Sequence, residues 1–121
     1  MELPEGLAGF DKLLGVEFVE TSGDRVVLSC EIREDLQQPY GIVHGGVHCA
    51  AVETAASVGA ALWFGDRGTV VGVSNHTDFL RGVRDGELTA TATPIHRGGM
   101  QQLWLVEVTD EQEAVFAKPG S

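Results

Sequence analysis

Apolar and polar residues recur along the chain with two different periods, and the switches between them lay out the elements. From Pro4 to Leu14 the apolar side chains fall at Leu7, Phe10, Leu13 and Leu14, the spacing of one helical face, and Gly15 supplies the stop. Alternation then takes over. Val16 to Glu20 and Arg25 to Ile32 read as the two strands of a hairpin, turned by Ser22-Gly23-Asp24. A polar loop from Arg33 to Gln38 follows. From Gly45 to about Phe64 the residues are small and apolar on nearly every side, interrupted only by His48, Glu53, Thr54 and Ser57. A helix that is apolar almost all round is buried on most sides, and in so short a chain this requires a sheet wrapped around it. Beyond the turn at Gly65 to Gly68, strands are expected over Thr69 to Asn75 or a little beyond, Glu87 to His96, Gln101 to Thr109 and, briefly, Ala114 to Ala117, with Asp85-Gly86 and Arg97-Gly98-Gly99 as turns. The plan is α+β: one antiparallel sheet packed on one central helix. No repeat or linker divides it, so residues 1–121 read as a single domain.

The chemistry gathers at the start of that helix. Gly41, Gly45 and Gly46 open it, so its first free N–H groups and the positive end of its dipole lie beside Gly45 and Gly46, where they can hold an oxygen that gains negative charge. Glu53 stands two turns further on, and Ser57 follows it at i+4 on the same face. An oxyanion holder, a carboxylate and a hydroxyl on one scaffold are the components of an acyl transfer or hydrolysis. Taken alone, Glu53 reads more simply as a charge on the wet side of a helix. Its alanine and valine neighbours argue for a desolvated carboxylate with its pKa pushed upward, as a general base requires.

Composition narrows the class. A net charge of −10 argues against a nucleic-acid surface built on charge. Cys30 in a strand and Cys49 in the helix have no paired spacing, which suggests buried free thiols in a reducing compartment. The first residues lack a signal-peptide pattern, and no run approaches ~18 uninterrupted apolar residues, so the expectation is a cytoplasmic protein with no membrane span. His44 and His48 sit at i, i+4, but Gly45 replaces the glutamate of the zinc helix pattern and no third ligand is evident; no metal is expected.

The string Gln38-x5-His44-Gly45-Gly46-x6-Glu53-x3-Ser57, followed by Val70-Val71-Gly72, resembles the hotdog-fold acyl-CoA thioesterases, above all the 4-hydroxybenzoyl-CoA thioesterase type and its phenylacetate-pathway relatives. The resemblance runs over residues 10–117 in element order. It implies a curved antiparallel sheet around one helix, homodimers or homotetramers, and active sites at the subunit interface. By the same resemblance, Gln38, His44 and the Gly45 N–H come from one subunit, and Glu53 with Ser57 from its neighbour. The glycine N–H polarises the thioester carbonyl, and the glutamate serves as nucleophile or as general base on water. Many relatives carry aspartate and threonine where this chain has Glu53 and Ser57, and a few place a histidine near the position of Phe79. Relatives also finish with a full-length last strand, whereas this chain stops soon after Ala117.

Within that reading the substrate is an acyl-CoA, aromatic or medium-chain, hydrolysed without cofactor or metal. Gly46 at the helix mouth, Arg81 and Arg84, and the run His96-Arg97-Gly98 are the candidate substrate contacts, the arginines holding the nucleotide phosphates of coenzyme A. Solvated loop charge is the plainer account of the same arginines. A non-catalytic acyl-CoA sensor or interaction module on the same fold is the alternative function. A hotdog hydratase would place an aspartate and histidine differently, and an acyl-carrier-protein hydrolase would need a broader basic docking surface.

Overall fold

The structure, a computed structural model, describes residues 9–80, 82–110 and 115–119. Its elements are a short helix α1 (Gly9–Leu14), a hairpin of β1 (Val16–Thr21) and β2 (Val26–Glu31), the long helix α2 (Gly45–Phe64), a three-residue strand β3 (Thr77–Phe79), and the strands β4 (Glu87–Arg97), β5 (Gln102–Thr109) and β6 (Val115–Pro119). All pairings are antiparallel, and the sheet order is β1-β2-β4-β5-β6-β3. The α+β plan of one sheet around one helix is therefore the observed one.

Register explains the core. Val26 faces Ala92, which faces Val106; Leu28 faces Ala90, which faces Val108; Cys30 faces Leu88. Because side chains on a strand alternate between faces, these rows all point to the same side and are almost fully buried. Val47, Ala51 and Ala55 of α2 close onto them. Burying Leu28 and Leu88 alone stabilises by about 1.5–3 kcal/mol each. Small residues on α2 let the sheet come close, most tightly at Gly59, where a Cβ would stand 2.6 Å from the Trp104 ring. The indole N–H of Trp104 donates to Gln102 Oε1 at 2.9 Å, and Gln102 Nε2 donates to the Ala60 carbonyl at 3.2 Å, which ties β5 to the helix.

By length and composition α2 would suffice to cross a membrane. Its residues Val47, Ala51, Ala55 and Ala60 are buried inside the fold, while its other apolar residues, Ala50 and Val58 among them, are partly exposed.

One expected strand is absent. Residues 68–76 form no ladder with the described residues, and Val71 and Val73 are 74 % and 93 % exposed. Thr69 to Asn75 has the β-branched content of a strand but pairs with no described strand; only the following residues, Thr77–Phe79, join the sheet, on β6. Asn75 anchors the segment, its Nδ2 donating to the Cys49 carbonyl at 2.9 Å. The last strand runs to Pro119 rather than Ala117 and bridges β5 and β3, so the short C-terminus still supplies a strand to the sheet. Ala114 and the expected first turn of α1, Pro4 to Ala8, lie outside the described residues.

Candidate active site

The loop before α2 is held by its own backbone. Gln38 N–H donates to the Ile42 carbonyl at 2.8 Å, Gly41 N–H to the Gln38 carbonyl at 2.9 Å, and His44 N–H to the Leu36 carbonyl at 2.9 Å. Gly41 adopts a φ of 82°, which only glycine takes readily. The Gln38 side chain is engaged locally, its Oε1 accepting from the Tyr40 N–H.

His44 is the N-cap of α2. Its Nδ1 accepts from the Gly46 N–H at 2.8 Å. The cap corrects one expectation: the Gly46 amide is occupied by His44 and is not open to a substrate. Gly45 N–H has no hydrogen-bond partner among the described residues, and it sits at the positive end of a 20-residue helix. Phe79 covers this point, with its ring 3.0 Å from where a Gly45 Cβ would be and its centroid 5.9 Å from that of His48. His48, beneath, is 3 % exposed, and its Nδ1 is buried with no partner among the described residues. Burial holds its pKa below the usual histidine value.

Glu53 and Ser57 share a cleft of about 320 Å³ on the outward side of α2, together with Thr54 and, from α1, Phe10 and Asp11. The i, i+4 spacing does bring the carboxylate and hydroxyl to one face. The expected desolvation does not occur in the single chain, because the face of α2 that carries Glu53 is the one the sheet leaves open. Glu53 lies over the extended segment instead, with Oε1 3.1 Å from the point where a Gly72 Cβ would be. Eight residues separate Gly45 from Glu53 along the helix, a rise of about 12 Å. One chain therefore does not bring its own helix mouth and its own carboxylate to a single carbonyl.

The basic candidates separate. Arg84 is at the helix mouth, Nη1 donating to the Tyr40 and Gly41 carbonyls at 3.3 Å each. Arg97 is at the far end of α2, where it donates to the Gly23 carbonyl and to Asp24 Oδ1, both at 2.7 Å, with its guanidinium 5.3 Å from the Trp63 ring centroid. It pins the β1–β2 turn and is not free for a phosphate within this chain, a pairing that depends on how the sheet folds back over the helix. Beside it His96 is exposed, and Gly98 N–H closes the β4–β5 turn on the Gln101 carbonyl at 2.9 Å. Arg81 lies outside the described residues. Among the described residues no group of three His, Cys, Asp or Glu side chains is placed to hold a metal ion. Sequence reasoning missed Phe10 and Asp11 as cleft residues. The signal was the amphipathic spacing of α1, which marks a packing helix without saying what it packs on.

A family model described as Thioesterase superfamily matches residues 40–117. The chain belongs to the thioesterase superfamily. The fold of this thioesterase is the hotdog fold, and the enzyme hydrolyses thioesters. Among solved structures similar to it, AziG of S. sahachiroi is 50 % identical with a TM-score of 0.90, over 93 % of this chain and 92 % of that one. The thioesterase HI1161 of Haemophilus influenzae is 32 % identical with a TM-score of 0.84, over 89 % of this thioesterase and 76 % of that chain. A 1,4-dihydroxy-2-naphthoyl-CoA hydrolase of Listeria monocytogenes is 36 % identical over 108 residues, 89 % of this chain and 88 % of that protein.

Proposed function

We propose that this thioesterase hydrolyses acyl-CoA thioesters, with an aromatic or medium-chain acyl group, at a site shared by two copies of the chain. The observation that carries this reading is the pair of unmatched halves: a Gly45 amide at a helix mouth with no partner among the described residues, and an exposed Glu53 too far along the same helix to serve it. The exposed segment 68–76, which passes under Glu53 at Gly72, offers strand backbone to a second copy and would carry that copy's helix mouth toward the carboxylate. The assembly is a homodimer, or a tetramer of two such dimers.

In the reaction the Gly45 N–H donates to the thioester carbonyl oxygen as it gains charge. Glu53 of the other copy takes a proton from water, whose oxygen bonds to the carbonyl carbon, or bonds to that carbon itself and is released by water afterwards. The C–S bond breaks, and coenzyme A leaves with a proton on sulfur. Ser57 orients the carboxylate, His44 holds the mouth in shape, and Gln38 orders the approach loop. Arg84, at the same mouth, is the described arginine best placed for a phosphate of coenzyme A. The site needs no cofactor. The acyl-CoA chemistry and the two free cysteines fit a cytoplasmic enzyme.

Two variants test it. Gly45 is the first helical residue, where proline is tolerated, so Gly45→Pro deletes the N–H while keeping the helix; Gly45→Ala, which keeps the N–H and brings the same Cβ to 3.0 Å from the Phe79 ring, is the steric control and should lose far less activity. Thiol release from a panel of acyl-CoA esters should fall by about 10²–10³ in Gly45→Pro, and by about 10²–10⁴ in Glu53→Gln. Mixing the two inactive proteins through unfolding and refolding should restore part of the rate, since a mixed dimer holds one intact site. Full activity of Glu53→Gln refutes the chemistry. Failure of the refolded mixture to regain activity refutes the shared site.

A further inference from the structure

Helix α1 is more than packing. It crosses α2 so that Phe10 and Asp11 stand over the face that carries Glu53, Thr54 and Ser57. Asp11 is fixed there: its Oδ1 accepts from Thr54 Oγ1 at 2.7 Å, across a sequence separation of 43 residues. The far wall is apolar, formed by Ala50 and Val58, and the Phe10 ring completes it. Two carboxylates, Asp11 and Glu53, line one cleft, and no basic side chain joins them among the described residues.

We propose that Asp11 is a specificity-determining residue that makes the cleft a charge filter, admitting neutral acyl groups and rejecting those that end in a carboxylate. The proposal rests on the acyl-CoA hydrolase reading, with the cleft as the seat of the acyl group. An acyl chain laid along Ala50, Val58 and Phe10 runs past Asp11. A carboxylate at its end would meet the like charges of Asp11 and Glu53, a repulsion that grows as the occupied cleft excludes water. The Thr54 hydrogen bond keeps the Asp11 charge at the wall rather than in bulk solvent, so the penalty is met by every incoming acyl group.

The probes are hexanoyl-CoA and its terminally carboxylated counterpart adipoyl-CoA, which share chain length and differ in one charge. Each is measured as kcat/KM by thiol release, and as Kd by calorimetry with its non-hydrolysable thioether analogue, on the full chain. In the wild type the neutral ester should be favoured by about fivefold or more in both readouts. Asp11→Asn keeps an oxygen to accept from Thr54 and removes the charge, and should pull that ratio toward unity by about fivefold. Asp11→Ser gives the same answer should the asparagine variant not fold. Thr54→Val removes the hydrogen bond that holds the Asp11 charge at the wall and should weaken the preference for the neutral ester. An unchanged ratio in a folded Asp11 variant, or a wild type that favours adipoyl-CoA, overturns the proposal. Absence of turnover for both esters and across the acyl panel would sink the hydrolase reading instead, and the calorimetric ratio would still decide on Asp11.

Discussion

Gly59 sets two familiar effects against each other, and the structure decides between them. Replacing an interior helical glycine by alanine stabilises a helix by about 1 kcal/mol when nothing is in the way. Here the new methyl would stand 2.6, 2.7 and 3.1 Å from three atoms of the Trp104 ring. Carbon atoms rest at about 3.5–4.0 Å, so the ring must retreat by roughly 1 Å. Its retreat is resisted: the indole N–H is bonded to Gln102, Gln102 is bonded to the Ala60 carbonyl, and β5 is paired on both sides. Overpacking of this kind costs about 1–3 kcal/mol, and loosening one hydrogen bond adds about 1 kcal/mol. Gly59→Ala should therefore destabilise by about 1–3 kcal/mol after the helical gain is subtracted, or about 4–12 °C in Tm for a chain of this length. Urea unfolding followed by far-UV circular dichroism measures it, at one fixed protein concentration because self-association would shift the midpoint. In a Trp104→Leu background the same substitution should become neutral or stabilising, a coupling that a double-mutant cycle reads directly. A Gly59→Ala protein as stable as the wild type would refute the reasoning.

Further outcomes follow from other contacts. His44→Ala removes the α2 cap and should cost about 1 kcal/mol of stability, and it should also lower kcat/KM, because the contact that fixes the helix mouth is lost; thermal unfolding and thiol release check the two effects. His48→Leu removes a buried nitrogen that has no partner among the described residues and should be neutral or stabilising at pH 7. The lowered pKa of His48 means that the unfolded chain binds more protons as pH falls through the ordinary histidine value, near 6.5, so wild-type stability should decline below that pH and His48→Leu should decline less. Cys30 is buried, donates to the Leu14 carbonyl at 3.2 Å and has its pKa raised chiefly by burial, so a thiol reagent should label the half-buried Cys49 first. Simultaneous labelling of both thiols in the native protein would contradict that packing.

Much of the molecule is decided by neighbours in sequence. The run from Gly45 to Phe64 becomes α2 because small apolar residues propagate a helix and His44 caps it, and both effects act within a few residues. Alternation over Arg25 to Ile32 and Glu87 to His96 became β2 and β4 for an equally local reason, and the i, i+4 spacing was enough to place Glu53 and Ser57 in one cleft. What the chain does across distance was not legible. The capacity of Thr69 to Asn75 to extend says nothing about which strand it will meet, and among the described residues it meets none. Alanines around Glu53 suggested a dry carboxylate, but dryness depends on which side of the helix the sheet covers. Arg97 is drawn to Asp24 and Gly23, and α1 brings Asp11 to Thr54, through contacts between residues far apart in the chain. Sequence alone determined the elements and the chemical groups that each one carries. Tertiary structure decided which of those groups meet, which stay wet and which are already taken, because packing and hydrogen-bond partners are chosen in space, after the local periods have done their part.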